Sequence, residues 1–93
     1  MKSKITKKDI EKYYALTSKV LSIVKKNIIK KKEKDAKEII KMASAYLSDS
    51  KFFEKKGDLV NAFGAIYYAH GWIDCGVRLG IFDVKDDKLF TVR

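Results

Sequence analysis

No proline occurs anywhere in the 93 residues, and no glycine occurs before position 57. The two residue types that most readily stop a helix are thus missing from more than half of the chain. Long helices are the expected outcome, and an all-β fold with its many turns is disfavoured. A hydrophobic fraction of 46% with 12% aromatics excludes wholesale disorder. At this length we expect one domain, 1–93, whose thin core makes oligomerisation a natural further source of stability.

Apolar spacing divides the chain. Thr6 reads as an N-cap with Asp9 in the first turn, a variant of the capping box that prefers Glu or Gln there. Ile10, Tyr13, Tyr14, Thr17, Val20, Leu21, Val24 and Ile28 then recur at steps of three and four, the stripe of an amphipathic helix over about residues 7–30. Lys30, Lys31 and Lys32 suit its C-terminal end, and Asp35 is the candidate N-cap of a second helix over about 35–56. The alternative is one helix of about fifty residues, far beyond the usual length. The second helix puts Ala36, Ile39, Ile40, Ala43, Tyr46, Leu47, Ser50 and Phe53 on one face and ends at Gly57. Asp58 caps a third helix over about 58–79, with Leu59, Ala62, Phe63, Ile66, Ala69, His70, Ile73 and Val77 inside and Gly80 as its C-terminal cap. The short turn at Gly57 makes the second and third helices antiparallel neighbours. The predicted fold is an all-α, three-helix up-down-up bundle. Its tail, 81–93, is extended or a hairpin, with Ile81, Phe82 and Val84 in one arm and Leu89, Phe90 and Val92 in the other.

Charge is uneven. Residues 1–56 carry 17 lysines against 7 acids, and residues 57–93 carry 4 cations against 5 acids, so the basic surface belongs to the first two helices. Lys25, Lys26, Lys30, Lys31, Lys32 and Lys34, with Lys37 and Lys41 beyond them, gather around the first turn. Such an end can bind a phosphate backbone without reading sequence, which makes nucleic acid a possible partner. It can equally be a solvated lysine surface, and the scarcity of arginine argues against bidentate base recognition. No signal-peptide core and no run near the ~20 apolar residues of a membrane span is present, so we expect a soluble cytoplasmic protein with no membrane role.

The third helix is apolar or small nearly all round. Opposite its inner stripe, Gly64, Tyr68, Gly71 and Cys75 share a face, with Tyr67, Trp72 and Leu79 beside it. Each interior glycine costs ~1 kcal/mol relative to alanine, which close approach of another backbone offsets. We read Gly64, Tyr68, Gly71, Trp72 and Cys75 as an interaction face for a second copy or a protein partner. The lone Cys75 reads as a small packed residue and excludes an internal disulfide.

His70 and Asp74 are four apart on one face. Two such groups can begin a metal site or a general base, but there is no second histidine and Cys75 points elsewhere. A structural histidine, bonded to a tyrosine or to Asp74, is the plainer reading. We assign no catalytic residue, no metal site and no cofactor.

The patterns A-Y-L-x-D, F-x-x-K-G-D, A-F-x-A-I-x-Y-A-H-G-W-I-D and G-V-R-L-G, between Ala45 and Val84, closely resemble a family of short archaeal proteins, domain-of-unknown-function family 357. The resemblance spans about forty residues and implies a three-helix bundle in an archaeon. It implies no activity, substrate or catalytic residue. The hairpin around Gly57 also looks like one tetratricopeptide unit, but a single copy excludes a repeat array. A non-enzymatic bundle acting by association is therefore the leading reading, ahead of nucleic-acid binding and of a site at His70 and Asp74.

Overall fold

The computed structural model describes residues 4–85. Three helices, α1 (Lys7–Lys25), α2 (Glu33–Lys55) and α3 (Leu59–Arg78), pack as the expected all-α bundle. Ring and side-chain contacts give the directions. Tyr13 meets Phe63 and Thr17 meets His70, so α1 and α3 run together. Lys51 lies over Tyr14 and Tyr46 meets Tyr68, so α2 runs against both. The topology is up-down-up.

The inner stripes meet as their spacing dictates. Val20 and Val24 from α1, Ala36 and Ala43 from α2, and Ala62, Ala69 and Ile73 from α3 have no exposed surface. Alanines on both sides let α2 and α3 approach closely, and theirs is the most extensive helix pairing. The α1–α2 pairing is the least extensive. Two further α3 residues are buried beyond the expected stripe, Ala65 and Gly76.

Local chemistry explains most of the ends. At the start of α1 the Asp9 N–H donates to Thr6 Oγ1 (3.2 Å) and the Thr6 N–H donates to Asp9 Oδ2 (2.9 Å). Aspartate thus completes both arms of the capping box. After α2, Gly57 takes φ +77°, the Asp58 N–H reaches Phe53 O (2.9 Å) and the Gly57 N–H reaches Glu54 O (3.0 Å). Gly80, at φ +75°, repeats this arrangement after α3, with Ile81 N–H on Gly76 O (2.8 Å). Both are Schellman ends that glycine accommodates without a Cβ penalty. Asp58 caps α3 through the Asn61 N–H (3.1 Å).

The first turn departs from expectation. α1 stops at Lys25, not near residue 30. Asn27 turns its amide onto Ile23 O (2.7 Å), satisfying a terminal carbonyl. The following backbone is taken by the tail: Ile29 N–H donates to Ile81 O (2.9 Å) and Asp83 N–H donates to Asn27 O (2.7 Å), around an antiparallel Ile28–Phe82 bridge. Ile28 therefore leaves the α1 stripe. The chain reverses at Lys31, which holds φ +75° without being glycine. α2 consequently starts at Glu33, and Asp35 sits inside its first turn instead of capping it. No side chain caps α2 at Lys32; the Lys31 N–H donates instead to Glu33 Oε2 (3.2 Å).

The first arm of the expected hairpin thus pairs with the α1–α2 connection. Its second arm, residues 89–92, lies outside the described residues. Ile81 and Phe82 are buried, and they close the end of the bundle where α2 begins and α3 ends.

Candidate functional site

The outer face of α3 stands open. Gly64, Tyr68, Gly71 and Cys75 are exposed and Trp72 is half-buried. Tyr67 and Tyr68 keep 58% and 57% of their surface, large values for aromatics in a small bundle. Tyr68 is braced from α2 by an edge-on contact with Tyr46, ring centroids 4.5 Å apart. Tyr67 packs edge-on to Phe63 at 4.6 Å. Between them, the missing side chain of Gly71 leaves a shallow groove of about 310 Å³ walled by Tyr67, Tyr68, Trp72 and Cys75. Four of the five residues expected on this face line the groove; Gly64 lies two turns earlier along the helix, outside it.

One expectation for this face needs correction. Among the described residues Cys75 is exposed, not a packed small residue, because it lies on the side of α3 opposite the buried stripe. Within the single chain Gly64 and Gly71 pack against nothing: among the described residues, an added Cβ at either would meet no atom within 4 Å. Gly76 is the glycine under a close neighbour. A Cβ there would stand 2.5 Å from Phe82 Cε2 and 2.9 Å from Ile39 Cδ1. Its spacing gave a signal, since Gly76 follows Ile73 by three on the inner stripe.

His70 is half-buried between α1 and α3. Its Nδ1 lies 3.4 Å from Thr17 Oγ1 and its Nε2 lies 3.6 Å from Asp74 Oδ2. The hydroxyl partner is a buried threonine, where a tyrosine was one expectation. Among the described residues no group of three or more His, Cys, Asp or Glu side chains could hold a metal ion. The adjoining cleft, with Tyr13, Leu16, Phe63 and Tyr67 around it, has about 200 Å³, below the usual range for a small-molecule site.

Lys25, Lys26, Lys30, Lys31, Lys32 and Lys34 are all exposed at the end of the bundle where α1 stops and α2 begins. Glu33 and Asp35 interrupt the run, and Lys25 turns along a separate groove between α1 and α2. That groove, about 450 Å³, also takes in Ser18, Ser22, Ser44, Ser48 and Lys51, which the sequence reading did not single out.

Charge is missing from the part of α3 that exposes Tyr67 and Tyr68, whereas the equally exposed Phe52 of α2 lies beneath Lys56. The fifteen residues from Leu59 to Ile73 include no Asp, Glu, Lys or Arg, although such residues make up 35% of the chain. No helix among the described residues is long and apolar enough to cross a membrane. The molecule is thus a small helical bundle with one uncharged aromatic face and one basic end. It belongs to the family described as protein of unknown function (DUF357), whose model matches residues 12–82. No curated protein and no solved structure matches the chain.

Proposed function

We propose that the protein is a non-enzymatic module of one domain that works by pairing with a second copy of itself through the outer face of α3. The observation that carries this reading is self-complementarity. Knob and hole lie side by side on one patch: Tyr68 projects beside the empty space over Gly71. A two-fold interface requires such a patch, because each copy must offer what the other needs. Two copies crossing near Gly71 would place each Tyr68 against the other's groove. The face also carries the charge-free stretch, so pairing here keeps the basic halves of two copies apart.

The strip is narrow. A 20-residue helix is about 30 Å long, and a ~12 Å wide strip of it offers roughly 350 Å² per copy. That is under half of the about 800 Å² per partner of a standard stable interface. The pairing should therefore be reversible, with a dissociation constant on the order of micromolar or weaker.

Cys75 lies in the groove and reports on it directly. Its alkylation by a maleimide should slow as protein concentration rises through the dissociation constant. A fast rate at every concentration would mean that the face stays open, and a slow rate at every concentration would mean that the chain covers it itself. Either result overturns the proposal.

A second reading rests on the exposed lysines at the α1–α2 end, which would hold a nucleic-acid backbone electrostatically. It requires binding that weakens steeply with salt and is lost when Lys30, Lys31 and Lys32 are each replaced by Glu.

A further inference from the structure

The groove between α1 and α2 is built from one pattern used twice. Ser18-x-x-Leu21-Ser22-x-x-Lys25 in α1 matches Ser44-x-x-Leu47-Ser48-x-x-Lys51 in α2. Residues at i, i+3, i+4 and i+7 share a helix face, so each helix presents two hydroxyls, a leucine and a terminal ammonium along one line. All eight line the groove. The helices are antiparallel, so the two copies of the pattern are related by an approximate two-fold axis across the groove. Leu21 and Leu47, both buried, form its floor near that axis. Lys25 stands at one end and Lys51 at the other.

Charge and hydrogen bonding are arranged for a ligand of matching symmetry. No aspartate or glutamate lines the groove. Among the described residues, no intramolecular hydrogen bond engages the side chains of Ser18, Ser22, Ser44 or Ser48. Serines in mid-helix otherwise tend to bond back to the preceding turn, as Ser50 does to Leu47 O at 2.6 Å. Lys25 has no carboxylate within ion-pair range among the described residues. Lys51 is held in place by the Tyr14 ring (4.1 Å) and by Glu54 Oε1 (3.7 Å), at the rim of the groove. Lys51 reaches Tyr14, eleven residues before Lys25 in α1, so the two charged ends of the groove stand about 16 Å apart along the helix axes. A volume of about 450 Å³ falls within the range of small-molecule sites.

We propose that this groove binds a small elongated polyol of about six carbons phosphorylated at both ends, each phosphate carrying about −1.5 to −2 charges at neutral pH. Each phosphate pairs with one lysine, and the central hydroxyls exchange hydrogen bonds with the four serines. A six-carbon chain carrying a phosphate at each end spans the gap once Lys25 leans inward and Lys51 exchanges Glu54 for a phosphate and turns inward from the rim. A single phosphate engages one end only, so the second anchor should strengthen binding at least about tenfold.

Titration calorimetry of the full chain tests this with three probes: fructose 1,6-bisphosphate, the bisphosphate of hexane-1,6-diol, and inorganic phosphate. The expected order of affinity is that order. Lys25→Met or Lys51→Met, both at exposed positions, should reduce fructose 1,6-bisphosphate to the level of inorganic phosphate. Replacing Lys30, Lys31 and Lys32 together by Met should leave it unchanged, and backbone amide shifts on binding should centre on Ser22 and Ser48. Equal affinity for bisphosphate and phosphate, indifference to Lys25→Met with the fold intact by circular dichroism, or loss of binding in the triple variant would each overturn the proposal. Equal affinity for the two bisphosphates would overturn the role given to the hydroxyls.

Discussion

Gly64, Gly71 and Gly76 lie in one helix, yet an added methyl group meets different surroundings at each. At Gly76 it would collide with the Phe82 ring and with Ile39. Gly76→Ala should therefore destabilise the fold by about 1–3 kcal/mol, the usual cost of overpacking, as read by urea denaturation. At Gly71 the space is open, and alanine is the better helix former. Gly71→Ala should stabilise the monomer by about 0.5–1 kcal/mol in the same assay while partly filling the groove. If both substitutions destabilise equally, the distinction between a packing glycine and a surface glycine fails. Lys31 offers a third check. A lysine at φ +75° carries a strain of roughly 1 kcal/mol that glycine lacks, so Lys31→Gly should raise the urea midpoint slightly, against the ordinary effect of introducing glycine.

The elements show why parts of the fold were legible and others were not. Helix ends governed by neighbouring residues were readable: Thr6 with Asp9, Gly57 with Asp58, and Gly80 each act within a few positions. The end of α1 was not. Residues 26–32 contain no helix breaker and Ile28 fits the stripe, so local preference continues the helix. What stops it is a backbone pairing with residues more than fifty positions away, which periodicity does not register. The α3 face was legible because an all-round apolar helix cannot be covered by two neighbours. The serine groove was missed because small polar residues beside a core stripe look like an ordinary solvated flank; its signal was the pattern shared by two helices. The tail pairing carries its own prediction. Phe82 is almost fully buried, so Phe82→Ala should cost about 3 kcal/mol or more, and the Ile29 and Asp83 amides should lose protection against hydrogen exchange before the helices do. Unchanged protection at those amides would show that the bridge does not depend on the Phe82 anchor.

At the scale of the whole molecule, a net charge of +9 gives the two leading readings opposite responses to salt. Two copies of a basic chain repel, so screening should strengthen pairing through the uncharged α3 face. Binding of a polyanion at the lysine-rich end releases counterions and should weaken as salt rises. The direction of the salt effect therefore separates them without any substitution. Family membership over residues 12–82 takes in the whole of α3 and both lysine-bearing helices apart from the first turn and a half of α1. It brings no activity with it, so the face itself must be tested. Sedimentation equilibrium over roughly three decades of protein concentration, at low and high salt, does so most directly. The account predicts a reversible monomer–dimer equilibrium that tightens with salt and is abolished by Gly71→Arg, which places a bulky cation in the groove. A chain that remains monomeric throughout, or a dimer indifferent to Gly71→Arg, would contradict it.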